Sequence, residues 1–255
     1  MEGMKEIPDA FIDLILCDLP YGQTHNEWDS QIPLDALFAE YNRIIKPTGY
    51  IILFGQGMFT ADLMQANRRN WKYNLVWDKV LPSGFLNANK MPLRVHEDIV
   101  VFYKGRGTYN PQKNKGSKNH SKGSLHKRNT NNNYGKFNVE DNAEILGMMK
   151  HPNSIITISK PHPAEMVHPT EKALDLGRYL VRTYTNEGDL VLDNAFGSGT
   201  FLLAAKLENR RYLGFEIKEE YCKIAEDRLK QQTLNGFALR NEVELPLSVI
   251  PSESR

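Results

Sequence analysis

Leu190-Val191-Leu192-Asp193-Asn194-Ala195-Phe196-Gly197-Ser198-Gly199-Thr200 decides the fold. A short apolar run ends in an acid, a glycine-bearing turn follows, and Phe201 to Leu207 then carries apolar residues at helical spacing. The order reads as strand, tight turn, helix. A second short strand, Tyr212-Leu213-Gly214-Phe215, ends in Glu216. Glycines let a ligand approach the backbone at a helix N-terminus, and an acid at the tip of the next strand accepts from ribose hydroxyls. The pair predicts a nucleotide-type site.

Its companion lies near the start of the chain. Ile12-Asp13-Leu14-Ile15-Leu16-Cys17 has a buried-strand pattern and runs directly into Asp18-Leu19-Pro20-Tyr21-Gly22. A carboxylate, a proline-fixed backbone and an aromatic ring therefore meet at a strand's carboxyl end, where open α/β sheets place their ligands.

Asp18 to Tyr21 resembles the Asp-Pro-Pro-Tyr motif of amino-group DNA methyltransferases, and Asp193 to Thr200 resembles their glycine-rich cofactor motif. His168-Pro169-Thr170-Glu171-Lys172 resembles a third motif, usually His-Pro-Thr-x-Lys-Pro. The target motif comes first and the cofactor motifs last, which is the circularly permuted order of the beta group. The resemblance covers roughly residues 5 to 230.

The resemblance implies methyl transfer from S-adenosylmethionine to the exocyclic amine of a base flipped out of double-stranded DNA. An exocyclic amine is a poor nucleophile because its lone pair is delocalised into the ring. Hydrogen bonds to the Asp18 carboxylate and the Leu19 carbonyl would favour the pyramidal geometry that attack requires. Pro20 holds the turn, and Tyr21 offers a ring for stacking. On the donor side the resemblance assigns Glu216 to the ribose hydroxyls and Gly197 and Gly199 to close approach. It puts Thr170, Lys172 and Ser198 or Thr200 near the methionine end, with His168 and Asp193 completing the motifs. The face of Phe196 or Tyr21 would favour a sulfonium. Asp18 rather than serine at the head of the motif favours adenine over cytosine.

Three departures from the family pattern stand out. Leu19 replaces a first proline, and Asn194-Ala195 replaces a Pro-Phe pair. Family members also begin with a short strand ending in an acid, ahead of Glu2-Gly3-Met4, that has no counterpart here. Truncation, weakened cofactor affinity, or a tail at Val243 to Ile250 filling the sheet edge would each account for it.

Composition sets the limits. At 255 residues, 40% hydrophobic and 25% charged, the chain suffices for one α/β domain with an insertion. A net charge of +1 excludes a global polycation, so any nucleic-acid signal must be local. Cys17 and Cys222 are too few for a disulfide framework, and no histidine or cysteine spacing suggests a metal. No apolar run reaches the ~20 residues that span a bilayer, and the N-terminus lacks a signal peptide's apolar core, so a cytoplasmic protein is expected.

The remaining elements follow in order. Leu34 to Ile45 predicts a helix ended by Lys46-Pro47-Thr48-Gly49, and Tyr50 to Phe54 a strand that completes a βαβ crossover. A short helix at Thr60 to Ala66 and a strand at Tyr73 to Trp77 come next. Lys79 to Glu97, with Pro82, Gly84 and Pro92, reads as irregular loops that line the target pocket. Ile99 to Tyr103 is a further strand, suited to antiparallel pairing.

From Lys104 to Lys136 nine Lys and Arg residues occur without a single Asp or Glu. Lys113, Lys115, Lys118, Lys122, Lys127 and Arg128 are its candidate phosphate contacts, in the region where the family carries target recognition. Ile155 to Ile158 would close this insertion with a small strand. Helices at about Thr170 to Arg182 and Lys218 to Gln231 complete the core, and Asn235 to Arg255 is a tail that packs weakly or adds one edge strand.

The reading is therefore a doubly wound, mostly parallel α/β sheet of about seven strands. Residues 1–103 form the catalytic half, 104–164 the basic insertion, 165–234 the cofactor half and 235–255 the tail. No membrane or metal partner is expected, and a homodimer is left open. Cys17 reads as a core residue and not as a nucleophile, since no Pro-Cys dipeptide of the carbon-5 type occurs. Gly197-Ser198-Gly199 lacks the third glycine of a dehydrogenase. Cytosine's amine, adenine in RNA, and a non-catalytic DNA-binding relative remain alternatives.

Overall fold

The structure is a computed structural model that describes residues 2–21, 32–116, 149–161, 171–234 and 248–249. Two compact units are present, one of residues Met1–Asn110 and Ser154–Arg255, the other of residues Pro111–Asn153.

The larger unit starts with a single helical turn, α1 (Glu2–Lys5), and the strand β1 (Ile12–Cys17). Helix α2 (Leu34–Ile44) passes directly into β2 (Ile45–Gly55), and α3 (Met58–Ala66) leads to the long strands β3 (Trp71–Ser83) and β4 (Arg94–Tyr103). In the smaller unit β5 (Asn114–Lys115) pairs antiparallel with β6 (Met149–Lys150). The chain then returns through β7 (Ile155–Thr157), α4 (Leu174–Tyr184), β8 (Leu190–Asp193), α5 (Thr200–Leu207), β9 (Arg211–Glu216), α6 (Glu219–Leu234) and β10 (Ser248–Val249).

Eight strands form one sheet in the order β10-β9-β8-β1-β2-β4-β3-β7. Only β4 runs against its neighbours, β2 and β3. Alternate residues of β1 face opposite helical layers: Leu14 and Leu16 join the cluster of α4 and α5, whereas Ile15 and Cys17 join that of α1 to α3. Burial on both faces explains why β1 and β8 read as continuous apolar runs. Each fully buried aliphatic side chain contributes about 1.5–3 kcal/mol. From β1 the chain winds towards β2, and from β8 it winds the other way towards β9, so the strand order reverses between β1 and β8. The crevice at their carboxyl ends is the ligand position in such sheets.

Several expectations need correction. Lys46 to Gly49 does not separate the second helix from the second strand. It bulges out of the ladder inside β2, where the pairing with β1 jumps from Ile12–Ile45 to Leu14–Tyr50. Lys79 to Glu97 is largely regular: β3 continues to Ser83 and β4 begins at Arg94, leaving only a turn with a 3-10 segment at Phe85–Asn87. A bulge between Asp78 and Ser83, with Val80 at φ 63, accommodates a sequence whose prolines argued against a strand. Ile155 to Thr157 does not close the insertion, because β7 pairs parallel with β3 at the edge of the main sheet. Of the two outcomes left open for the tail, the edge strand is found, β10 along β9, and with it the sheet has eight strands among the described residues. Among the described residues no helix is long and apolar enough to cross a membrane.

Candidate active site

Both predicted strand tips flank the reversal point. Asp18 follows β1, Asn194 follows β8, and Glu216 closes β9 one strand further along.

Asp18 sits in a partly buried chain of charges. Its Oδ1 accepts from the Tyr21 hydroxyl at 2.9 Å, and its Oδ2 accepts from the Lys172 ammonium. Lys172 also pairs with Glu97 of β4 at 3.3 Å, and Glu97 pairs with Lys79 of β3 at 3.0 Å. Cation and anion alternate from Lys79 through Glu97 and Lys172 to Asp18, so the chain is neutral overall. Such alternation is what makes two buried ammonium groups and two half-buried carboxylates tolerable side by side. Burial raises the carboxyl of Asp18 above its usual range against the opposing pull of Lys172, and Glu97 raises it further. Glu97 itself is depressed, since Lys172 and Lys79 together outweigh its burial.

Sequence reading missed Glu97 and Lys79. They lie in the stretch read as loop, and only its true strand pairing brings them together: Glu97 stands opposite Trp77, two residues before Lys79 on β3. Tyr21 stacks tilted on Phe59 at 4.8 Å between ring centroids. Leu19 is buried in the apolar layer with Met4 and Ile7, which gives its departure from proline a packing role.

On the other side of the crevice, the Glu216 carboxylate organises the glycine turn. Its Oε2 accepts from the Gly197 N–H at 2.9 Å, and its Oε1 accepts from the N–H groups of Ile217 at 2.9 Å and Lys218 at 3.0 Å. Oε1 is thereby filled, while Oε2 keeps one lone pair for a further donor. Asp193 is buried beneath the turn and accepts from the Ala195 N–H at 3.2 Å. Burial pushes its carboxyl up to about 7 against the Ala195 and Cys17 hydrogen bonds, with Asp18 and Glu216 adding repulsion. The Tyr41 hydroxyl donates to Asn194 Oδ1, so the asparagine that replaces proline is held by α2.

The remaining turn residues face inward. Phe196 is buried, and Gly214 makes room for it: a Cβ at Gly214 would lie 2.6 Å from the Phe196 ring. Gly199 caps α5 at φ 77, and its missing Cβ clears Ala225 of α6. The Ser198 and Thr200 hydroxyls are engaged by Arg228 at 2.9 and 3.2 Å, and Arg228 pairs with Glu171 at 2.7 Å. Arg228 and Glu171 were not anticipated. Lys172, which the resemblance puts near the methionine end of the donor, is bonded to Asp18.

His168 and Thr170 lie outside the described residues, as do Lys118, Lys122, Lys127 and Arg128 of the basic segment. Lys113 and Lys115 belong to the smaller unit, Lys115 within β5. Among the described residues, no group of three His, Cys, Asp or Glu side chains could hold a metal ion.

The family model described as DNA methylase, for N6 and N4 amino methyltransferases, matches residues 12–227. The orphan methyltransferase M.BamHII of Bacillus amyloliquefaciens is 29% identical, over 89% of this chain and 92% of the relative. DNA adenine methyltransferase YhdJ of Escherichia coli (strain K12) is 27% identical, over 89% of this chain and 79% of the relative. Among solved structures, the M1.HpyAVI-SAM complex superposes with a TM-score of 0.60 at 22% identity, covering 89% of this chain and 91% of that one, a likeness of fold.

Proposed function

The chain belongs to the N6/N4 DNA methylase family, and from that premise we propose that it methylates the N6 amine of adenine in double-stranded DNA, with S-adenosylmethionine as donor. The observation that carries the reading is the Asp18 carboxylate at the carboxyl end of β1, held by Tyr21 and Lys172.

The donor set fits S-adenosylmethionine. The open lone pair on Glu216 Oε2 suits a ribose hydroxyl, and the crevice between β1 and β8 separates that acceptor from Asp18. When bound, the donor supplies an electrophilic methyl group on a sulfonium. Asp18 and the Leu19 carbonyl accept from the target amine and favour its pyramidal form. Burial makes Asp18 a better proton acceptor than a free carboxylate, which suits it to the proton that the amine loses on methylation. Lys172 fixes the orientation of that carboxylate. No covalent enzyme intermediate is needed, and alignment contributes most. Lys113, Lys115 and the other cations of the basic segment are assigned to the DNA phosphates.

Adenine is supported by the aspartate that heads the motif and by the relative named as an adenine methyltransferase. The test is transfer of label from S-adenosylmethionine to duplex DNA and to RNA, with nucleoside analysis of each product. Label in N4-methylcytosine, or in RNA alone, would replace this acceptor. DNA binding without donor binding would replace the enzyme by a non-catalytic relative.

A further inference from the structure

The ribbon of β3 and β4 outruns the rest of the sheet. β2 ends at Gly55, opposite Asp98, whereas β3 and β4 stay paired through Trp77–Glu97 and Asp78–His96 to Ser83–Arg94. The four residues from Asp98 back to Arg94 extend it about 13 Å past that level. β3 and β2 both run against β4, and β2 runs with β1, so the ribbon leaves the same sheet edge as Asp18.

Its far end is apolar and in water. Phe85 and Met91 are 65% and 53% exposed, and Leu86 is 100% exposed. Leu86 adds nothing to the packing of the fold and Phe85 little, and exposed apolar groups gathered at one tip mark a contact surface. From Lys79 to His96 there is no Asp or Glu, while Lys90 and Arg94 present exposed cations. Cations suit phosphates, and apolar wedges between base steps are a means of opening a duplex. The root of the ribbon is tied to the catalytic carboxylate, because Lys79 and Glu97 lead through Lys172 to Asp18.

We infer that Phe85 and Leu86 form a wedge that enters the base stack of duplex DNA and occupies the space vacated by the flipped target base. The inference rests on the proposed function and adds how the duplex is opened. Unstacking is then driven by a rigid ribbon whose tip replaces the lost stacking contacts.

The test compares the full chain with its Phe85→Ala/Leu86→Ala variant on two oligonucleotide duplexes built around a site that the protein methylates in genomic DNA. In one duplex the target base is paired; in the other it faces an abasic position. The variant is expected to be at least about tenfold slower on the paired duplex, within about threefold of the parent on the abasic one, and unchanged in donor binding. Equal rates on the paired duplex would overturn the wedge, and so would an equal loss on both duplexes. Conversion of a dimer into a monomer by the same substitutions would also overturn it, since the tip would then belong to a second copy. A parent protein inactive on both duplexes would remove the proposed function and the wedge together.

Discussion

Lys172 donates to Asp18 across 154 positions of sequence, joining the third motif of the chain to the first. The same ammonium is shared with Glu97, so the carboxylate proposed to receive the target amine is set by a residue of β4 that it does not touch. Removing Glu97 should therefore register at Asp18.

Glu97→Gln leaves Lys79 and Lys172 buried with Asp18 as the remaining anion of the chain. Loss of one partner in a buried ion pair costs about 3–5 kcal/mol, which denaturant unfolding would read. Glu97 raises the Asp18 carboxyl, so its removal should lower it. The acid limb of the rate against pH, measured with donor saturating, should then move to lower pH. An unmoved limb with the stability loss intact would make Glu97 purely structural.

Glu216→Ala removes the acceptor proposed for the donor's ribose and the brace of the glycine turn. Donor binding should weaken by at least about tenfold, equivalent to the ~1.4 kcal/mol of one charge-assisted hydrogen bond. Asp18→Ala should leave donor binding within about twofold. Calorimetric titration of both variants with S-adenosylmethionine separates the roles, and equal loss in the two would erase the division.

Asp193 gives the fold a pH dependence of definite sign. Its carboxyl titrates at about 7 when folded, against an ordinary value of 3.8. An acid raised on folding favours the folded state most below pH 3.8, and that advantage is lost as pH rises through 7. The change is on the order of 4 kcal/mol. Asp193→Asn cannot ionise, so its stability should gain on the parent steadily between pH 4 and pH 7. Parallel urea midpoints across that window would show Asp193 to be ionised throughout.

How much of this was legible follows from where each signal resides. Asp18 and Glu216 could be read because a strand tip is marked locally, by an apolar run ending in an acid. Glu97 could not. Its partners are 18 positions before it and 75 after it, and Pro82 and Pro92 argued against the strands that align them. A bulge at Val80 resolves that conflict, and bulges leave little trace in periodicity. The glycine motif points to Ser198 or Thr200 near the methionine end of the donor, but nothing in it points to Arg228, which their hydroxyls engage from a helix whose sequence gives no hint of that contact.

The basic segment should make DNA binding strongly salt dependent. Replacing Lys113, Lys115, Lys118 and Lys122 by Gln should flatten the slope of log affinity against log salt by up to about 3.6, since each phosphate contact contributes about 0.9. Fluorescence anisotropy of a labelled duplex between about 50 and 200 mM salt reads it. An unchanged slope would make the four lysines bystanders.

The most direct measurement is expression of the chain and of its Asp18→Ala variant in a host without DNA methylation, followed by mass spectrometry of the digested genomic DNA. The account predicts N6-methyladenine with the parent and none with the variant. Methyladenine from both would contradict the role of Asp18. N4-methylcytosine, or no methylated base from the parent, would contradict the acceptor or the activity itself.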